Sequence, residues 1–412
     1  MKNKKVKILV VVIICIAIVS GTLSFFIMKK QEEERKIKKE KLISEIESHF
    51  SAQVRVNRKT NLYQKKDHKY VKIGVVEVGE LLILKKEKIS EKTKYFYASN
   101  LGYYVRYQDV EVDDSELVVD DRYKNYLVFN ENVVTKEVVH LYRNDKLIYT
   151  LNFSIEKEIV MKDDLGFYIE YFDQLFFIPK DDVLHTYEKI NTTEEEATEV
   201  PVTVYHFIYL EGDNTCNEMI CHHENQIKEE FQYLKDNQYF TMNTTELRLF
   251  LEGKIRVPKH SILITIDDGA RAENFVPLLE EYQIHATLFL ISSWYPKEKF
   301  QSSYMEIASH THDLHRPGLC PGGQGSPLKC LDKDQLLQDL KTSRETLDGT
   351  EAFCFPFYEF NDYAIEVVKE AGFKLAFIGG MKKVTKNTDP YHIPRISMNR
   401  STTLEQYIQY VQ

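Results

Sequence analysis

SILITIDDG, residues 261–269, is a mostly aliphatic and β-branched run that ends in two carboxylates and a glycine. A run apolar at successive positions reads as a strand buried on both faces, the habit of parallel sheets covered by helices. Working outward, VPVTVYHFIYL (200–210), HATLFLISS (285–293), YMEIASH (304–310) and KLAFIGG (374–380) have the same texture. Between them lie stretches with helical spacing: NQIKEEFQYLKDN (225–237), TELRLFLEG (245–253), DKDQLLQDLKTSRETL (332–347) and NDYAIEVVKEAG (361–372). Strand–helix alternation over residues 200–412 predicts an α/β domain, a distorted (β/α) barrel, in which chemistry sits where the strands end.

The polar residues fall at those ends. Asp267, Asp268 and Gly269 close SILITI, His310 closes YMEIAS, His315 follows five residues later, and His206 ends the first strand. In a parallel barrel such residues converge on one rim. Two adjacent carboxylates can divide labour, one binding a metal and the other acting as general base. Two His and one Asp are a sound ligand set for Zn²⁺ or a similar divalent ion, with positions left for water and substrate. Taken singly, each signal is weak: DDG is also a turn, and a lone His at a strand end is more often a packed or capping residue. Their combination at strand ends points to a metal site.

TIDDG (265–269) resembles the T-F-D-D-G signature of the polysaccharide deacetylases, carbohydrate esterase family 4. SHTHDLH (309–315) resembles that family's second motif, and CFPFYEFND (354–362) its third, an aromatic–Pro–aromatic turn lining the acetyl pocket. The resemblance covers about 200–412, with the motifs in order. It implies Asp267 as general base and Asp268, His310 and His315 as ligands of a divalent metal, with Zn first and Co, Ni or Mn as others. It also implies Phe355, Pro356 and Phe357 as the pocket wall. The wider spacing of the two His, and His206 after the first strand, are similar to the branch that contains poly-N-acetylglucosamine deacetylases. The sequence departs from the pattern at three points. Cys354 and Phe355 stand where an Arg usually opens the third motif and braces the base, with Arg395 as a substitute. The late Leu-His motif that supplies the general acid is not visible, which leaves His206 and His392 as candidates. Ile266 replaces Phe, and Tyr358 fills a place often held by Gly. The function implied is removal of N-acetyl groups from N-acetylglucosamine units of a surface polysaccharide, peptidoglycan or poly-N-acetylglucosamine. A carbohydrate O-acetyl esterase and a catalytically inactive glycan-binding protein are the alternatives.

Upstream, residues 60–190 have the short, aromatic and β-branched runs of an all-β region. LGYYVRYQDVEV (101–112) is echoed by DQLFFIPKDDVL (173–184), so two modules are expected, roughly 63–115 and 128–187. Their texture resembles SH3-like surface modules, either glycan-binding or a spacer. Residues 191–199 read as a polar linker and 29–55 as a helical stalk. Residues 8–28 are 21 consecutive residues without a charge, long enough at about 1.5 Å per residue to cross a bilayer core of about 30 Å. Residues 1–7 would then be a cytoplasmic tail, 8–28 a transmembrane signal anchor, and the catalytic body extracytoplasmic. A cleaved signal peptide is the competing reading. The chain carries a net charge of −9, which argues against nucleic acid as a partner; the resemblance implies a surface glycan as partner, and residues 8–28 a membrane. Cys216/Cys221 and Cys320/Cys330 are short-range pairs, open to disulfides, free thiols or metal. The loop RPGLCPGGQGSPLKC (316–330) could shape a substrate groove or be a stapled surface loop.

Overall fold

The computed structural model describes residues 27–49, 51–85, 94–115, 121–189, 195–213, 215–216 and 218–412. They divide into two compact units, the first built mainly from residues up to 189 and the second from 190–412 with 122–130 and 160–163.

Among its described residues the first unit is all-β apart from a helix over 27–49 and two short 3₁₀ turns. Leu42 and Ile46, four apart on one helix face, are buried. The expected stalk therefore has a packed face, and its last residues are not helical. Ser51–Val56 is a strand, because SAQVRV alternates and turns Ala52, Val54 and Val56 inward. The described strands form one hydrogen-bonded network of fourteen, in which Lys69–Val76 pairs antiparallel with Lys146–Leu151 and joins two halves. The echo noted in the sequence is structural. Tyr103–Arg106, a 3₁₀ turn and Val110–Val112 are matched by Gln174–Pro179, a 3₁₀ turn and Val183–Glu188. The last residue of each turn reaches back into its own half. Asp109 accepts from Arg58 and Thr60, and Asp182 accepts from the backbone and ring of His140.

The second unit is a closed parallel barrel of seven strands: β1 (Val202–Tyr205), β2 (Ser261–Asp268), β3 (Ala286–Leu290), β4 (Met305–Ser309), β5 (Ala352–Cys354), β6 (Leu375–Gly379) and β7 (Ile393–Ser397). Neighbours pair in chain order, and β1 closes the ring by pairing with both β7 and β2. Phe240–Met242 adds a parallel strand beside the start of β2. All of β2 from Ser261 to Asp267 is buried, which explains its unalternating sequence. Each of Ile262, Leu263, Ile264 and Ile266 contributes about 1.5–3 kcal/mol by leaving water.

Helices cover the barrel: α1 (Glu224–Asp236), α2 (Thr244–Leu251), α3 (Phe275–Tyr282), α4 (Lys333–Thr346), α5 (Asp362–Glu370) and α6 (Leu404–Val411). In α1, Ile227, Phe231 and Leu234 make the buried stripe that a 3.6-residue period requires. Asn243 with Glu246 and Thr403 with Gln406 form capping boxes that start α2 and α6. Part of the expected linker belongs to this unit. Ala197 is buried among barrel core residues, and Glu199–Val200 pairs with Val384–Thr385. No described helix is long and apolar enough to cross a membrane, and residues 1–26, which hold nearly all of the expected anchor, lie outside the described residues.

Candidate functional site

The carboxyl ends of β2, β4 and β5 meet, and the backbone turns sharply at each. Asp268, Thr311, Phe357 and Tyr358 all have positive φ, between +58° and +77°. Such non-glycine residues cost about 1–3 kcal/mol each and cluster at functional sites. Gly269 follows at φ +109°, where a Cβ would stand 2.6 Å from Leu290 Cδ1 and 2.8 Å from Tyr295 Cδ2. The glycine of the DDG signature thus lets β2 turn against its neighbours.

Asp268, His310 and His315 converge on one point. The Nε2 atoms of His310 and His315 lie 3.4 and 3.2 Å from Asp268 Oδ1, and the candidate ligand atoms of the three all fall within 4.8 Å of one another. Asp268 Oδ1 is buried without a hydrogen-bond partner among the described residues. A buried carboxylate oxygen left bare beside two imidazole nitrogens suits a cation. Burial alone would raise the Asp268 pKa, but the adjoining imidazoles, His310 foremost, outweigh it and hold it low. His310 Nδ1 donates to the Cys354 carbonyl at 2.9 Å, which fixes its tautomer and turns Nε2 toward Asp268.

Asp267 is held differently. Arg395, wholly buried in β7, donates from both terminal nitrogens to the two carboxylate oxygens at 2.7 and 2.8 Å. Burial opposes the charge on Asp267, yet the guanidinium and the nearby His310 keep it well below the usual carboxylate range. Cys354 Sγ lies 2.9 Å from the same guanidinium and 3.6 Å from Asp267 Oδ2. The Arg395 guanidinium also sits 5.1 Å from the centre of the Tyr358 ring. Asp267, His310 and Cys354 form a second group with metal-ligand spacing. The first group fits a cation better, because both Asp267 oxygens are engaged by Arg395 while Asp268 Oδ1 is bare.

The remaining expected residues divide. His206 joins the site: its Nε2 lies 4.0 Å from Asp267 Oδ2, and its Nδ1 is buried without a hydrogen-bond partner. Burial pulls its pKa down against the attraction of Asp267 and Asp268. Phe357 also joins, with its ring 4.4 Å from that of His315. Phe355 does not line a pocket. It is fully buried and packs on Phe353 and Phe360, because its side of the turn faces the core. Pro356 is buried too. Arg395 is a brace rather than an exposed pocket residue. His392 stands apart. It precedes β7 at the amino end, pairs with Asp389 at 2.9 Å and packs on Phe360.

Sequence reasoning passed over His222, Trp294 and Glu359. His222 is fully buried, 5.1 Å from the Tyr205 ring, and burial, with His206 adding to it, pushes its pKa to about 3. Trp294 lies 6.0 Å from the His315 ring. Glu359, next to the strained Phe357–Tyr358 turn, accepts from the backbone N–H groups of Gln324 and Ser326 and pairs with Lys329 at 2.8 Å. It therefore ties the 316–330 loop to that turn. The approach is close: a Cβ on Gly323 would collide with Glu359 Oε1 at 1.8 Å. The same loop is stapled by a Cys320–Cys330 disulfide. Cys216–Cys221 is a second disulfide, and Cys354 is the free buried thiol among the described residues.

Residues 254–376 match the family model described as polysaccharide deacetylase. Both His206 and Arg395 lie outside that match. The chain is 29% identical over 198 residues to a poly-β-1,6-N-acetyl-D-glucosamine N-deacetylase of Staphylococcus aureus, covering 42% of this chain and 66% of the relative. It is 29% identical over 197 residues to the same-named protein of Staphylococcus epidermidis, with the same coverage. The chain thus spans slightly less than two thirds of the length of these relatives. Among solved structures, a de-N-acetylase from Aggregatibacter actinomycetemcomitans is 22% identical with a TM-score of 0.44, covering 52% of this chain and 99% of that one.

Proposed function

We propose, from the polysaccharide deacetylase domain at residues 254–376, that this chain is a metal-dependent hydrolase that removes N-acetyl groups from a surface polymer of N-acetylglucosamine. The names of the staphylococcal relatives favour a β-1,6-linked polymer. The observation that carries the reading is an ionised, braced carboxylate, Asp267, beside a separate bare carboxylate, Asp268, with two imidazoles. A purely structural metal site has no use for the first.

Asp268, His310 and His315 would hold the divalent ion, Zn²⁺ by preference for two imidazoles and a carboxylate. When bound, the ion supplies Lewis acidity to the acetamide carbonyl and lowers the pKa of a coordinated water. Asp267 would take a proton from the attacking water as its oxygen adds to the carbonyl carbon. Arg395 keeps Asp267 ionised at neutral pH and fixes its direction. The Tyr358 N–H is committed to the Phe355 carbonyl at 3.1 Å, so the Phe357 N–H is the turn's candidate donor to the developing oxyanion. His206, with Nε2 4.0 Å from Asp267 Oδ2, would receive the proton that Asp267 takes up and pass it to the departing nitrogen. The C–N bond breaks, acetate leaves, and a free amino sugar remains.

The test is acetate release from poly-β-1,6-N-acetylglucosamine, from peptidoglycan and from an O-acetylated xylan, with Asp267→Asn alongside. The amide polymer should be cleaved, and Asp267→Asn should lose about 10²–10⁴-fold in rate while retaining the metal. Release from the ester alone would make the chain an esterase. We also propose that residues 8–28 anchor the chain and leave the catalytic unit outside. The uncharged span and two disulfides, which persist in oxidising compartments, support this. Protease added to intact cells should digest the catalytic unit, and protection until lysis would refute the placement.

A further inference from the structure

Five large apolar side chains are exposed among the described residues of the barrel unit: Leu210, Met219, Trp294, Leu319 and Met381. Every one lies in a segment that follows the carboxyl end of a barrel strand. Leu210 and Met219 follow β1, Trp294 follows β3, Leu319 follows β4 and Met381 follows β6. None lies in the segments that return from the helices to the amino ends of the strands. Scattered exposed apolar residues need no explanation, but apolar residues confined to the rim that carries the chemistry do.

Trp294 stands out among them. It is the one tryptophan of the chain and is 46% exposed. Its position is nevertheless fixed. The indole Nε1 donates to Asp313 Oδ1 at 2.9 Å, and Asp313 is held in turn by Ser293 Oγ at 3.2 Å and by Arg316. The backbone N–H groups of His312 and Asp313 are both gripped by Asp339 of α4, at 2.9 and 2.8 Å. The polar edge of the indole is thus satisfied by protein, and the part left to solvent is apolar ring. That ring sits 6.0 Å from His315, at an interplanar angle of 76°. An indole anchored by its N–H and left half bare beside a candidate metal ligand is a preorganised surface for a flat apolar ligand face. A pyranose ring presents such a face in its axial C–H groups, with its hydroxyls around the edge.

We propose that Trp294 is a carbohydrate-stacking platform that seats a sugar ring of the polymer beside the metal triad. The proposal rests on the deacetylase reading for the identity of that sugar, and on the geometry of Trp294 for the site itself. Ring stacking acts on ground state and transition state alike, so its loss should appear chiefly in KM.

A single tryptophan makes intrinsic fluorescence a direct reporter of this one side chain. Zinc-loaded full-length Asp267→Asn protein, which binds without turnover, is titrated with a β-1,6-linked N-acetylglucosamine oligosaccharide. The emission should change saturably, and glycerol or acetate at equal concentration should leave it unaltered. In the otherwise wild-type protein, Trp294→Ala should raise KM for the same oligosaccharide about tenfold, and Trp294→Phe should recover most of that loss. Unaltered emission at oligosaccharide concentrations that saturate the wild-type enzyme would overturn the proposal, as would a Trp294→Ala KM within twofold of wild type. A saturable emission change in a protein that releases no acetate would keep the platform and refute the deacetylase reading.

Discussion

Replacing Arg395 with Met removes the partner of a buried charge while nearly conserving side-chain bulk. Arg395 is wholly buried, Asp267 is 2% exposed, and the pair makes two direct hydrogen bonds. Removing one member of such a pair leaves an uncompensated buried carboxylate, a loss of about 3–5 kcal/mol. At about 2–4 °C per kcal/mol for a domain of 150–250 residues, the Tm of the barrel unit should fall by about 6–20 °C. Asp267→Asn/Arg395→Met removes both charges and should recover much of that loss. Thermal unfolding of wild type, both single variants and the double variant closes the cycle. The pH dependence has a definite sign. The pair holds Asp267 below its unfolded value of about 3.9, so its stabilisation is present above that pH and fades as the pH falls through the native value. An Arg395→Met protein within about 1 kcal/mol of wild type, or a double variant no more stable than Arg395→Met alone, would refute the brace.

Three other outcomes follow from the same geometry. His315→Ala should lower the zinc content of purified protein well below one equivalent, as measured by elemental analysis, and full stoichiometry would remove His315 from the ligand set. His206→Ala should depress amide cleavage far more than hydrolysis of an activated aryl acetate, which needs no acid for its leaving group. His392→Ala should alter neither rate, since His392 pairs with Asp389 instead. Glu230, buried in α1 and bonded to the Tyr205 hydroxyl at 2.7 Å, has its pKa raised by burial from 4.5 to about 7. Its favourable share of stability is present below about pH 4.5 and is lost as the pH rises through 7. That difference of about 2.5 units corresponds to about 3 kcal/mol. Glu230→Gln should therefore raise the Tm at pH 8 and change it little at pH 4, and equal shifts at both would refute the assignment.

The barrel was legible because its strands are buried on both faces and its helices are amphipathic, so both periods stand in the sequence. SILITIDDG became β2 over Ser261–Asp268, and the four helical stretches appear within one or two residues at each end. The convergence of Asp268, His310 and His315 was legible because strand-end position and ligand chemistry coincide. Phe355 was misassigned because an aromatic–Pro–aromatic string does not show which ring faces the core, and the positive φ at Phe357 and Tyr358 decides that. His392 was misplaced because a His beside a strand reads alike at either end, while only the carboxyl ends carry the site. Trp294 and Glu359 gave no motif at all. Each acts through a partner far along the chain or across a loop, which a linear pattern does not encode.

The displaced brace says what the site requires. A third motif that opens with Arg would place the guanidinium on β5, and this chain has Cys354 there. Arg395 arrives instead from β7, two strands along the ring, with its guanidinium beside the Cys354 thiol. A thiol is small enough to leave room for that side chain, and at 2.9 Å its sulfur accepts from the same nitrogen that serves Asp267. A buried carboxylate poised as a base needs one cation at hydrogen-bonding distance in a fixed direction. It does not matter which strand delivers it. In a closed barrel every strand points side chains into the same interior, so the brace and the residue it replaces can be far apart in sequence and equivalent in space. The pair Cys354–Arg395 should therefore be read as one unit. Cys354→Arg alone would crowd a second guanidinium against the first and lose activity, whereas Cys354→Arg with Arg395→Met should regain much of it. A double variant as inactive as Arg395→Met, with its fold and zinc content intact, would show that the direction of approach matters as well as the charge.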